Sequence, residues 1–461
     1  MSTLIIISIL PILLLYFGLY NAQKVLLPVT IIGLLAALGF AIASYTSVDT
    51  ATPSYTGMML FNNFSVVFSA ITIVSTILIL LLSRGYFERI SRHIAEYYAI
   101  ILFSLAGIIV MVSFYNLVML FIGIEIMSVS LYILAGIKKS DFASNEAALK
   151  YFLMGAFSTG FLLFGITLIY GASGSFNLEA IRNWVIEHPR GIDPMFYTGI
   201  LLIIVGLCFK VGAAPFHFWT PDVYEGSPTL ITAFMSTVAK TAAFAAFLRL
   251  FSACFAPVSD FWVPVLLVIT IITLFIGNIT ALYQQSFKRM LAFSSISHAG
   301  YLLFAIVALG ASSASSVFTY ATAYSIASII AFGALILVQQ QSGSDSFDSF
   351  NGLSRKNPFL AIVLTIAMLS LAGIPLTAGF IGKFFMFSTA LRQYQVLLVI
   401  LAVVNAIISI FYYFRVIIAM YFRDADRDEV AVPAYYKFVL GFAALATIVI
   451  GIYPGFISNL I

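Results

Sequence analysis

The stretch Tyr197-Thr-Gly-Ile-Leu-Leu-Ile-Ile-Val-Gly-Leu-Cys-Phe-Lys210-Val-Gly212-Ala-Ala-Pro215-Phe-His217-Phe-Trp219 decides the fold. From residue 197 to residue 209 nothing is charged. The apolar run extends over roughly 195–216, about the 20 residues a helix needs to cross the hydrocarbon core of a bilayer. It is apolar on every side and has no water-facing stripe. Yet it carries a lysine, and a lysine at membrane depth costs at least about 2.5–3.5 kcal/mol. Gly212-Ala-Ala-Pro215 then interrupts the helix. A buried cation beside freed backbone groups marks a segment facing protein or water rather than lipid.

The rest of the chain has the same character. Of 461 residues 62% are hydrophobic and only 9% are charged, and the mean hydropathy is +1.09. Soluble domains hold about 45–50% apolar and about 25% charged residues, so a soluble globular enzyme is excluded. The 44 Phe and 24 Tyr exclude a disordered chain. A porin-type barrel alternates along each strand and does not fit either. The net charge of +4 gives no sign of a nucleic-acid partner. Cys208 and Cys254 lie inside apolar runs without CxxC spacing, which rules out thiolate clusters for zinc or iron–sulfur. The four histidines have no metal-ligand spacing, and no phosphate-cradling glycine loop is present. No metal and no cofactor is expected on this chain.

Runs of spanning length fall at roughly 3–20, 24–44, 58–82, 97–113, 114–137, 149–170, 195–216, 228–252, 262–283, 289–310, 315–339, 358–391, 396–421 and 435–456, by the rule of about 20 residues per span. The expectation is an all-α polytopic membrane protein of about fourteen helices. The boundary near Ser113–Asn116 is the hardest to place. The N-terminus lacks a basic region and a cleavage site and reads as a retained first helix. Odd-numbered loops hold Lys24, Arg84, Arg89, Arg92, Lys138, Lys139, Lys288, Arg289, Arg355, Lys356, Arg423, Arg427 and Lys437, whereas even-numbered loops hold only Arg182, Arg190 and Arg392. The positive-inside rule puts the odd loops in the cytoplasm and both termini outside. The polar segment near 340–357 reads as a flexible connector.

Several charges stand inside spans. Lys150, Lys210, Lys240 and Lys383 are lysines at membrane depth, and Glu125 joins them in Leu-Phe-Ile-Gly-Ile-Glu125-Ile-Met-Ser. Lys150, Arg249 and Arg415 are nearer helix ends, where snorkelling to the interface is the competing reading. Lys383 follows Gly373-Ile-Pro375-Leu-Thr-Ala-Gly379-Phe-Ile-Gly382 in span twelve, as Lys210 precedes the break in span seven. Breaks at corresponding places in two halves point to a transport site. Spans four to eight and nine to thirteen would be two such halves, and an odd number of helices makes the second inverted. Residues 1–95, 96–252, 253–421 and 422–461 then form a leading three-helix segment, the two repeats and a final helix. His298, in Phe-Ser-Ser-Ile-Ser-His298-Ala-Gly-Tyr301, has small hydroxylic neighbours suited to a hydrated path, and histidine carries protons near neutral pH. His217 serves proton uptake or caps its helix. His93 and His188 are loop residues.

The run Lys210 to Thr229, together with Ser294-Ser-Ile-Ser-His-Ala-Gly-Tyr301 and Ser370-Leu-Ala-Gly-Ile-Pro-Leu-Thr-Ala-Gly-Phe-Ile-Gly-Lys383, resembles the antiporter-like membrane subunits of complex I, the proton-pumping NADH:quinone oxidoreductase. Pro-Asp222-Val-Tyr-Glu225-Gly-Ser-Pro and a lysine at 383 are similar to the N-type branch. The resemblance implies two inverted five-helix repeats in a bacterial inner membrane. It implies that Glu125 pairs with the lysine of span seven, Lys210, that Lys240 bridges onward, and that Lys383 lies on the exit side. Lys150 would face a neighbouring subunit. Partners would be the other membrane-arm and peripheral-arm subunits, which would carry the flavin, iron–sulfur clusters and quinone. The alternative is a component of a cation/proton antiporter. With one buried acid to bind sodium, that alternative has less support in the residues.

Overall fold

A computed structural model describes every residue except 21, 46–56, 92, 189–190, 394 and 425–429. Arg92, Arg190 and Arg427 of the loop-charge count therefore lie outside the described residues. The spans are α1 (Ser2–Leu19), α2 (Gln23–Tyr45), α3 (Asn63–Leu81), α4 (Ile94–Ser113), α5 (Leu117–Ala135) and α6 (Phe142–Ser173). There follow α7a (Pro194–Val211), the short α7b (Trp219–Gly226), α8 (Thr229–Ala253), α9 (Ser259–Leu282), α10 (Phe287–Ala308) and α11 (Ser313–Ser342). The last are α12a (Pro358–Ala372), α12b (Ala378–Arg392), α13 (Val396–Phe422) and α14 (Ala434–Ile452). Among the described residues thirteen helices are long and apolar enough to cross a membrane. The broken pair α12a and α12b completes the expected fourteen. The only β pairing among the described residues is three isolated bridges that clip loops together.

Capping residues set the helix starts. Asn62, Asn116, Asp141, Asp193, Ser286 and Asn357 each accept a backbone N–H of the first turn with a side-chain oxygen, which satisfies donors that a helix cannot pair internally. Pro194 and Pro358 follow two of these caps at the position where a missing N–H costs nothing. Asn116 settles the boundary between the fourth and fifth spans. The sixth helix starts seven residues before the expected 149, because Asp141 caps it. The segment near 340–357 is not the flexible connector expected. Phe347, Phe350 and Leu353 are buried there, and Phe287 packs on both phenylalanines.

Burial sorts the helices into layers. Over their apolar lengths α8 and α10 are wholly buried and α11 nearly so, whereas α1, α2 and α13 leave most of theirs outside. The outer helices show Ile12, Ile32, Phe157, Ile407 and Phe411 to the surroundings, the reverse of a soluble surface. The packing partners repeat with an offset of five: α4 lies on α5 and α9 on α10, while α6 lies on α7a and α11 on both halves of α12.

Close approach depends on glycine. A Cβ on Gly107 would lie 2.8 Å from the carbonyl oxygen of Gly123 across α4 and α5, and one on Gly165 would lie 2.8 Å from that of Gly199 across α6 and α7a. Small residues let backbones touch where lipid offers no hydrophobic drive. Replacing Gly123 or Gly165 by Val overpacks these seams at about 1–3 kcal/mol each. The thermal midpoint in detergent falls by several degrees in both variants, while Gly39→Val, at a position with open space around it, leaves it unchanged.

Candidate functional site

Lys210 stands in the last turn of α7a and is buried. Its ammonium donates to Ser128 Oγ at 2.9 Å, to the Tyr132 hydroxyl at 3.4 Å and to Thr159 Oγ1 at 3.5 Å. The rings of Tyr132 and Phe209 lie 5.9 and 5.8 Å away. Glu125 sits three residues before Ser128 on α5, but among the described residues it forms no ion pair, and its buried Oε1 has no hydrogen-bond partner. Among the described residues Glu125 makes no direct ion pair with Lys210, although its charge is near enough to act on the ammonium. Hydroxyls hold the ammonium instead.

The helix break supplies the next position. Gly212 adopts φ 73°, a left-handed conformation that closes α7a and that side chains other than glycine's resist. The freed amide of Ala214 donates to Thr273 Oγ1 on α9 at 2.9 Å. A Cβ on Gly212 would lie 2.8 Å from Thr220 Oγ1 and 3.9 Å from the Lys240 ammonium, so the break and Lys240 are neighbours. Thr220 Oγ1 is buried and unpartnered. Lys240 follows a π-turn at Met235–Ala239 within α8. It donates to the Ser295 carbonyl on α10 at 2.9 Å and also contacts the Ser295 hydroxyl.

His298 lies three residues beyond Ser295 on the same helix. Its Nδ1 shares a hydrogen bond of 2.7 Å with the Tyr320 hydroxyl, and its Nε2 one of 3.0 Å with that of Tyr413. Tyr413 also bonds the hydroxyl of Ser294. A cavity of ≈ 10 Å³, about one water's worth, is lined by His298, Tyr320, Ser370 and Lys383. Lys383 donates to the carbonyls of Leu371 at 3.1 Å and Ala372 at 2.8 Å. These belong to the last turn of α12a, whose C-terminal carbonyls lack internal partners and carry partial negative charge. Gly373, at φ 83°, ends that half-helix; a Cβ there would stand 2.7 Å from Lys383 Cδ.

The structure therefore brings Lys210, Lys240, His298 and Lys383 into one buried band. Lys150 does not belong to it. Its side chain is 40% exposed and pairs with Glu146 and Asp222, each at 2.8 Å. Arg289 joins the same group through Asp222 and Glu225. Lys150, two turns into α6, thus stands in an ion-paired group apart from the buried lysines. Arg249 does not snorkel either. It is buried and donates to the Leu60 and Phe114 carbonyls, Asn62 and Ser65. Arg415 reaches the Gln284 carbonyl and Gln285. His217 is buried with its Nδ1 unpartnered, and its ring lies beside the Pro215 carbonyl in the helix break. His93 pairs with Glu96 and His188 with the Trp184 carbonyl, both at exposed positions. Tyr320 and Tyr413 escaped notice in the sequence because tyrosines are ordinary inside apolar spans. Lys288 was counted as a loop residue and is buried.

Comparison with known proteins places this arrangement. Residues 113–409 match the family described as NADH:quinone oxidoreductase/Mrp antiporter, transmembrane. The chain is 42% identical to NADH-quinone oxidoreductase subunit N of Flavobacterium psychrophilum over the whole of both chains. It superposes on a chain of respiratory complex I from Thermus thermophilus with bound aureothin at a TM-score of 0.84 and 31% identity, covering 99% of this chain and 98% of that one. A chain of the Mrp complex from Dietzia sp. shares the fold at a TM-score of 0.89 and 19% identity, over 100% and 95% of the two chains.

Two outcomes test the geometry. Tyr413→Phe leaves His298 Nε2 and Ser294 without their shared partner, at about 1–3 kcal/mol for a buried unsatisfied group, and the thermal midpoint falls accordingly. On the rim, burial raises the pKa of Asp222, but the hydrogen bond and charge of Lys150, followed by Arg289, lower it below its usual 3.8 overall. The contribution of Asp222 to stability is then present in full above 3.8 and lost as pH falls through the lowered value. The midpoint difference between the parent and Asp222→Asn is constant from neutral pH down to the usual carboxylate range and shrinks below it.

Proposed function

The chain belongs to the NADH:quinone oxidoreductase/Mrp antiporter family, and we propose that it is the proton-translocating N-type membrane-arm subunit of an NADH:quinone oxidoreductase. The observation that carries this reading is the hydrogen-bonded line on α10. It has two hydrogen-bonded parts on adjacent residues: Lys240 is held by Ser295, and the next residue back, Ser294, bonds Tyr413, which shares His298 with Tyr320 at the cavity lined by Lys383. Hydroxyls and an imidazole in contact can hand a proton from one to the next.

Protons enter from the side of the basic loops, which is the cytoplasm in this reading, and load Lys210 or Lys240. Both termini then face the periplasm of a bacterial inner membrane. Electron transfer elsewhere in the complex shifts Glu125 relative to Lys210. At an effective dielectric near 20, moving such a pair from about 4 to about 8 Å changes its interaction by roughly 2 kcal/mol. Carrying one charge across 100 mV costs about 2.3 kcal/mol, so the two magnitudes match. The proton passes along the α10 line to Lys383 and leaves outward. Spans four to eight and nine to thirteen act as inverted repeats, each with one broken helix. Flavin, iron–sulfur clusters and quinone belong to partner subunits.

Purifying the tagged chain in mild detergent tests the assignment. Flavin, iron–sulfur signals and NADH oxidation come with it in this reading; a chain that emerges without redox centres and exchanges sodium for protons in liposomes would be an antiporter component. In the assembled complex, Lys210→Ala and Lys383→Ala each lower proton translocation per NADH oxidised several-fold at unchanged complex content. Parent-level pumping in both variants would sink the proton path.

A further inference from the structure

Beneath the charged rim lies a lysine that the path above does not use. Lys288, in the first turn of α10, is 3% exposed. Its ammonium donates to the carbonyls of Glu225 at 2.9 Å and Ser227 at 2.5 Å, at the C-terminal end of α7b. Among the described residues only two of its three N–H donors find acceptors. The cation sits near the positive end of the α10 dipole, which disfavours it, and against the negative end of α7b, which favours it. The charged groups close enough to act on it are Asp345, Lys138, Glu225 and Asp141.

Its surroundings connect both ways. Outward, a cavity of ≈ 280 Å³ is lined by Glu146, Lys150, Asp222 and Glu225. Glu225 lines that cavity and also supplies one of the carbonyls that Lys288 holds. Inward, Ser227 supplies the other carbonyl, and its buried hydroxyl has no partner. Tyr224, one turn back on α7b, lies beside Ser295, the residue that holds Lys240. Along α10, Lys288 and Ser295 are seven residues apart, hence on one face and about 10 Å from each other.

We propose that Lys288 is a proton-carrying residue on the uptake side, accepting protons from the acidic rim and passing them along α7b and α10 to Lys240. The inference rests on the proton-path reading above. Arginine at 288 keeps the charge and the carbonyl contacts but does not release a proton. Histidine carries a proton at lower pH, about 6.5 against about 10.4 for the free groups. The test is proton translocation per NADH oxidised across about pH 6 to 9, in assembled complexes carrying Lys288→Arg, Lys288→His or Lys240→Ala. Lys288→Arg is expected to assemble and to translocate several-fold less, and Lys288→His to translocate with its profile shifted to lower pH. The inference is overturned if Lys288→Arg keeps the parent ratio. It is equally overturned if Lys288→His shows the parent's profile or is inactive at every pH, or if neither variant assembles, because a structural cap then explains the residue. Parent-level translocation by Lys240→Ala would instead overturn the path on which the inference depends.

Discussion

An ammonium taken out of water must be given oxygen atoms, and a helix broken inside a membrane must give its loose carbonyls a donor. Most of the arrangement around the centre of this protein follows from meeting those two demands together. Lys383 lies on the carbonyls that end α12a, and Lys288 on those that end α7b. Each contact satisfies a cation and a helix terminus at once. Lys210 and Lys240 are met mainly by hydroxyls and one carbonyl. Among the described residues no carboxylate is bonded to any of the four. Neutral acceptors hold a cation without the deep trap that a buried ion pair would make, so the ammonium can lose its proton without stranding an anion beside it.

The charged residues are divided by depth. On the rim, Lys150, Arg289, Asp222, Glu146 and Glu225 form ion pairs that water screens and loosens. Inside, serine, threonine, tyrosine and histidine take over. Glu125 is the exception, an acid at depth with one oxygen unsatisfied. An acceptor left without a donor is costly, and it supplies a reason for Glu125 to move towards any cation that comes within reach.

Much of this was legible in the residues alone. Fourteen spans followed from apolar length, and both breaks from Gly-Ala-Ala-Pro and Gly-Ile-Pro, because lipid permits few ways to hide a backbone. Lys210, Lys240, His298 and Lys383 stood out because charge inside an apolar run is expensive. Lys150 does not join them because Glu146, one turn away, and Asp222, from α7b, hold it in ion pairs that its own apolar surroundings in the sequence do not announce. Lys288 was missed for the opposite reason: beside Arg289 at a helix start it looks like a loop charge, and only the packing of α7b over α10 seals it in. Tyr320 and Tyr413 carry no signal of their own, because their role comes from pointing at one histidine from two other helices.

The π-turn at Met235–Ala239 has a geometric consequence of its own. A turn with one residue too many rotates everything after it by about 100° relative to an unbroken α-helix. Lys240 is the first residue beyond that offset, and its aim at Ser295 depends on it. The insertion thus works as a key cut into the helix: the same lysine on a regular α8 would point at a different neighbour, and the line along α10 would lose its first link.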